Sequence, residues 1–185
     1  MWDRYSENTG SGIWLHGVKG DEFIRPLLDS DGCIVLSNEN VERLSKYLKV
    51  GYTKVISVPK INWVKASVLS RDRDEIVALM NSWLAAWETR DPEPYLQFYS
   101  RKFSDTEKNY EDWVSYKTRV NPSKRHIRVR YSDMGIYAYP GQENLAMVEF
   151  YQDYTSDNYH SRGWKRLLWR KEGDGKWRII YEKGG

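Results

Sequence analysis

The sequence predicts an α+β protein in two parts, and three observations lead there. Two short apolar runs near the N-terminus, Ile13-Trp14-Leu15 leading to His16-Gly17 and Ile34-Val35-Leu36 entered through Gly32-Cys33, read as buried strands meeting loops. Between about 72 and 120 the apolar residues instead recur at helical spacing. From 126 onward they fall into four long extended runs joined by turn residues.

In chain order, residues 1–12 are polar and rich in Gly and Ser, which marks a loop. Ile13 to Leu15 is a strand ending at His16-Gly17. Residues 18–30, with Gly20 and Pro26, form a long loop leading to Gly32-Cys33 and the second strand. Ser37 is placed as an N-cap, with Glu39 and Glu42 near the helix start and Val41, Leu44 and Leu48 on one face up to Gly51. Thr53 to Val58 reads as a third strand, stopped by Pro59. A first unit is therefore expected over 1–62, a linker over 63–70, and a second unit over 71–185.

In that second unit, Asp72 or Asp74 is expected to cap a helix carrying Ile76, Val77, Met80, Trp83, Leu84 and Trp87 on one face. A short helix with Tyr95, Leu96, Phe98 and Tyr99 follows Asp91-Pro92. A third helix spans about Thr106 to Val120 and is stopped by Asn121-Pro122. Strands are expected over 126–139, 144–155 and 161–172. Gly173-Asp174-Gly175 turns the chain into Trp177 to Tyr181.

Composition narrows the function classes. With 40% hydrophobic and 30% charged residues, 185 residues can bury a core in one or two domains. No run reaches the roughly eighteen apolar residues of a membrane span. The first residues lack an apolar signal segment, so an export signal, if the protein is exported, is expected upstream of this chain. The net charge of +3 is mild. Basic clusters around Lys124–Arg130 and Arg162–Lys171 lack any nucleic-acid motif and read as solvated strand faces, so no nucleic-acid partner is expected. His126 and His160 have no companions at metal-ligand spacing, and neither a metal nor another cofactor is expected. No motif sets an oligomeric state.

Cys33 is the single cysteine. Two readings stand: a small buried hydrophobe, or a nucleophile paired with His16, seventeen residues upstream. His16 by itself also suits a strand end whose imidazole is satisfied by a backbone carbonyl. The pattern His16-Gly17, a loop, Ser30-Asp31-Gly32-Cys33, the apolar strand Ile34-Val35-Leu36 and Asn38 resembles the L,D-transpeptidase catalytic domain of the YkuD family. It departs from that family at Asp31, often histidine, and at Val35, often an arginine expected to help bind an anionic substrate group. Residues 1–62 resemble the C-terminal half of that domain. Residues 71–183 resemble an NTF2-like domain, three helices packed on a strongly bent antiparallel sheet that forms a cone. The order of the two is similar to cell-shape-determining L,D-carboxypeptidases and related transpeptidases of helical bacteria, the Csd6/Pgp2 type.

The resemblance implies acyl transfer on peptidoglycan stem peptides in the bacterial cell envelope or periplasm. Cys33 is the implied nucleophile and His16 the base, with Gly17 orienting the imidazole through its carbonyl. Backbone N–H groups of Gly32 and Cys33 are implied at the oxyanion. Trp14, Ser30, Asp31 and Asn38 are weaker candidates for substrate contact. In the cone, Trp83, Trp87, Tyr95, Tyr99, Trp113, Tyr151, Tyr154 and Trp169 read first as core, and second as a groove for glycan or stem peptide. Glu149 and Asp153 are the acids to watch there. The rival class is a non-catalytic peptidoglycan-binding or scaffold protein, and a third is a small-molecule enzyme with paired acids in the cone.

Overall fold

The structure, a computed structural model, describes residues 14–20, 30, 32–50, 53–56, 58, 60–139 and 141–184. The chain divides into two compact units, Met1–Ser57 and Val58–Gly185.

In the first unit, β1 (Leu15–His16) pairs in parallel with β2 (Ile34–Val35), Leu15 opposite Ile34 and His16 opposite Val35. Ile34 N–H donates to Trp14 O at 2.8 Å and Leu36 N–H to His16 O at 3.0 Å. Helix α1 (Asn38–Ser45) follows at once, capped by the Ser37 hydroxyl, which accepts from Asn40 N–H at 3.3 Å. Leu48 lies outside the helix. The strand expected over 53–58 is not found in the described residues 53–56 and 58. Thr53 is folded back on Lys49 by a reciprocal pair of 2.9 Å bonds, one from each backbone N–H. Val55 and Ile56 are exposed, and the run has no ladder partner among the described residues.

In the second unit, α2 (Ala66–Glu88) buries Ile76, Met80, Trp83, Leu84 and Trp87 along one stripe. It starts earlier than the aspartates suggested, with the first turns exposed and no side chain capping them. Helix α3 (Pro92–Leu96) has Asp91 as N-cap and Pro92 in its first turn, where a missing N–H costs nothing. Helix α4 (Tyr110–Ser123) starts later than expected. Asp105 takes the N–H groups of Glu107 and Lys108 into a turn, and Asn109 with Asp112 forms a capping box beyond it. Pro122 enters the last turn rather than stopping the helix ahead of it.

Four antiparallel strands complete the unit in sequential order: β3 (Ile127–Tyr139), β4 (Gln142–Ser156), β5 (His160–Lys171) and β6 (Trp177–Gly184). Register shifts at Ser132/Gly135 and at Leu168/Trp169 bend the sheet. The helices pack on the face that carries Val148, Phe150, Tyr154, Leu167 and Trp169. Trp83 meets Phe150 edge-on at 6.3 Å, and Trp87 meets Tyr154 at 5.3 Å. The core is thus a stack of aromatic rings, each pair adding to the gain from burial itself.

Candidate functional site

The parallel register places the two chemical side chains of the first unit. His16 lies opposite Val35, and Cys33 is two residues before Val35, immediately ahead of β2. In regular strands, one strand across and two residues along separate Cα atoms by about 8 Å, a diagonal that an imidazole can span. His16 Nδ1 lies 2.6 Å from Gly17 O. A carbonyl only accepts, so Nδ1 donates to it, and in the neutral imidazole Nε2 carries the lone pair. Cys33 is half-buried and forms no disulfide.

The loop after His16 is held by Asn38. Its Oδ1 accepts from Val18 N–H at 2.9 Å, and its Nδ2 donates to Gly20 O at 2.6 Å. A Cβ on Gly17 would sit 2.1 Å from that Oδ1, so glycine is required for the carboxamide to reach across. Asn38, at the start of α1, therefore tensions the loop whose carbonyl orients His16. Ahead of the cysteine, the Ser30 hydroxyl donates to Cys33 O at 2.8 Å, and Gly32 has φ 105°, a conformation that favours glycine. Ser30 thus shapes the turn. Trp14 is 68% exposed beside this face. Asp31 lies outside the described residues.

The second unit holds a cavity of about 560 Å³ lined by Trp87, Trp113, Tyr116, Lys117, Gln152 and Tyr154, with Lys165 and Glu182 in its wall. Lys165 Nζ pairs with Glu182 Oε1 at 2.6 Å, and Glu182 Oε2 accepts from the Tyr99 hydroxyl at 2.7 Å. Tyr99 in turn accepts from Trp83 Nε1 at 3.2 Å and from the Tyr95 hydroxyl. Burial pushes the Glu182 carboxyl up, but Lys165 and Lys117 beside it outweigh burial and hold it below its ordinary value. Burial, then Glu182, pushes both tyrosines well up.

Lys117 is the unusual group. Its ammonium lies 4.5 Å from the ring centres of both Trp87 and Trp113, and no hydrogen bond holds it among the described residues. Burial is the main reason its pKa falls to about 7; Lys165 and Lys108 lower it further against the pull of Glu182. Around it, Asn121 Nδ2, Gln152 Oε1 and Trp113 Nε1 are buried without a partner among the described residues. Such atoms are costly unless something meets them.

Of the aromatics singled out from sequence, Trp87, Trp113 and Tyr154 line this cavity. Trp83, Tyr95, Tyr99 and Trp169 are core, and Tyr151 lies on the opposite face of the sheet, 36% exposed. Glu149 and Asp153 also belong to that face, bound to Arg166 and to His160 with Arg162. Among the described residues, the acid lining the cavity is Glu182.

The family model of the Cds6 C-terminal NTF2-like domain matches residues 75–183. The chain belongs to that family. Ahead of this NTF2-like domain, residues 2–56 match the YkuD L,D-transpeptidase catalytic domain. Among solved structures, Bd1075 of Bdellovibrio bacteriovorus is 31% identical with a TM-score of 0.78, over 99% of this chain and 64% of that one. The helical cell shape determining protein Pgp2 of Campylobacter jejuni is 30% identical with a TM-score of 0.72, over 98% and 64%. The chain thus spans about two thirds of the length of these relatives. An NTF2-like superfamily protein of Salmonella enterica, 21% identical with a TM-score of 0.53 over 63% and 92%, shares the fold. No curated protein matches the chain.

Three residues of the NTF2-like cavity escaped the sequence reading, though each left a signal. Lys117 is four residues after Trp113, on the apolar stripe of α4. Lys165 alternates with Leu167 and Trp169, and Glu182 lies opposite Leu167 in the register. Charged residues in apolar register mark a polar core.

Proposed function

We propose that this protein is a cysteine acyltransferase of the bacterial cell envelope, working in the periplasm on peptidoglycan stem peptides. It would act as an L,D-transpeptidase or L,D-carboxypeptidase in cell-wall remodelling and cell shape. The observation that carries the reading is the register that sets His16 opposite Val35, two residues after Cys33, with Nδ1 tied to Gly17 O, within a segment that matches a transpeptidase catalytic domain. In this reading residues 1–62 contribute part of the catalytic domain, 63–70 connect, and 71–185 form the binding domain.

The chemistry follows from the tautomer. His16 Nε2 takes the thiol proton, and Cys33 Sγ attacks the peptide carbonyl. The oxyanion is met by backbone N–H groups around Gly32 and Cys33, which the missing side chain at Gly32 leaves accessible. Collapse breaks the C–N bond, the leaving amine receives the proton from His16, and a thioester remains on Cys33. An incoming amine then gives transpeptidation, and water gives carboxypeptidase action; either regenerates the thiol. Asn38 and Gly17 position His16, while Trp14 and Ser30 flank the substrate path. In the cone, Lys117, protonated below about pH 7, offers positive charge to carboxylates of the stem peptide, in a cavity that Trp87 and Trp113 line.

The test is the product profile of purified muropeptides incubated with the protein and separated by chromatography. Loss of the terminal residue from tetrapeptides, or its exchange for an added amine, is expected from the parent and not from Cys33→Ala. Unchanged tetrapeptides with the parent would refute the enzyme reading. The orphaned polar atoms of the cone favour a second reading, a non-catalytic peptidoglycan-binding scaffold. That reading predicts that sacculi retain parent and Cys33→Ala protein equally while no muropeptide changes.

A further inference from the structure

We propose that the sheet face turned away from the helices is a second binding surface, fitted to an acidic glycan. Two adjacent cross-strand rows build it. Arg128, Thr155 and His160 lie side by side on β3, β4 and β5, and Arg130, Asp153 and Arg162 form the next row. With His126 they line a shallow concavity of about 690 Å³. Three arginines and two histidines thus surround one carboxylate.

That carboxylate is already engaged. Asp153 Oδ1 lies 3.0 Å from His160 Nε2, and Oδ2 accepts from Arg162 Nε at 2.9 Å. His160 and then Arg162 hold the Asp153 carboxyl below its usual range. Arg128 and Arg130 are exposed, and neither has an ion pair or side-chain hydrogen bond among the described residues. Arg128 and Arg130, alternate residues of β3, place two like charges side by side on one face, a cost that an anionic partner removes. Guanidinium groups, unlike ammonium groups, meet carboxylate or phosphate through two parallel hydrogen bonds.

One row further along the same face, Tyr151 and Trp164 meet edge-to-face at 5.8 Å, 36% and 38% exposed. Trp164 is two residues beyond Arg162 on β5, about 6.8 Å along the strand. A sugar ring resting on the Trp164–Tyr151 pair therefore directs its acidic substituent toward Arg162 and Arg130. The spacing of charge selects the partner. Duplex DNA carries one negative charge per about 1.7 Å of axis, and Asp153 in the middle of the basic rows opposes so dense a polyanion. A chain of rings with a sparse acid group suits two basic rows and one aromatic row.

The experiment is fluorescence titration of the whole chain with a carboxylated oligosaccharide (oligogalacturonate). A neutral oligosaccharide of the same length, a short DNA duplex and anionic phospholipid vesicles are run at the same salt. Oligogalacturonate is expected to bind and the neutral sugar not to. Arg128→Ala with Arg130→Ala is expected to weaken binding about tenfold or more by removing the charge-assisted bonds. Arg128→Lys with Arg130→Lys should recover only part of that. Circular dichroism and the thermal midpoint report whether each variant keeps its fold, and loss of affinity with rising salt in the parent gives a readout that needs no variant. Equal affinity in the alanine variant, equal binding of the neutral sugar, no saccharide binding, or tighter binding of DNA or vesicles would each overturn the proposal.

Discussion

Lys117→Met isolates the cost of holding an amine in the aromatic cone. The parent side chain is 6% exposed between Trp87 and Trp113, and the one carboxylate shown acting on it, Glu182, is shared with Lys165. A fall from 10.5 to about 7 is worth about 5 kcal/mol against the folded state. The sign follows from proton counts. Between pH 7 and 10.5 the unfolded chain holds the proton and the folded chain does not, so stability rises with pH across that window. The full penalty applies below pH 7. Methionine keeps the contact with the rings and removes the penalty, but it forfeits cation–π attraction of about 2 kcal/mol. The variant should therefore be more stable by about 3 kcal/mol at pH 6, and by about 1 kcal/mol at pH 9.5. Urea unfolding followed by tryptophan fluorescence at the two pH values measures the difference. An advantage that does not change with pH, or a variant less stable than the parent at pH 6, would refute the reasoning.

Glu182→Gln leaves Lys165 buried without its counter-charge and should cost about 3–5 kcal/mol, read by the same unfolding assay. Because Glu182 titrates below its ordinary value, its contribution is present above the usual carboxylate range and is lost as pH falls through the lowered value. Trp83→Ala opens a cavity among Trp87, Tyr95 and Phe150 and should cost about 3–5 kcal/mol in thermal or urea unfolding. Gly17→Ala drives a methyl group into the Asn38 carboxamide. It should slow thiol acylation by about tenfold, since small misplacements of a catalytic group are expensive, and it should leave the unfolding of the NTF2-like domain unchanged. Stopped-flow or mass-resolved acylation rates check it.

Much of this was legible in the sequence. Ile76, Met80, Trp83, Leu84 and Trp87 fall on one stripe of α2 because their spacing follows the helical repeat, and the β4 alternation puts Val148, Phe150 and Tyr154 inward for the same geometric reason. The pattern from His16 through Cys33 to Asn38 carried the resemblance to a family. Other features depend on contacts that spacing alone does not encode. Thr53 to Ile56 has strand-forming residues, but a strand exists only with a neighbour to pair with. Thr106 looks like helix, yet the Asp105 carboxylate captures the local N–H groups first. Asn38 reaches back to residues 18 and 20, a tertiary contact with no periodicity. The cone's charge cluster draws on α4, β5 and β6, and it becomes visible only once their inward registers are superposed.

Intact-mass spectrometry of the protein after incubation with a carbapenem tests the central claim most directly. Ring opening by a thiolate leaves the whole carbapenem attached, so the mass of the chain should rise by that of one carbapenem. The increase should be absent in Cys33→Ala and slow to appear in His16→Ala. A parent chain that gains no mass, or a Cys33→Ala chain that still does, would contradict the assignment of Cys33 as the nucleophile.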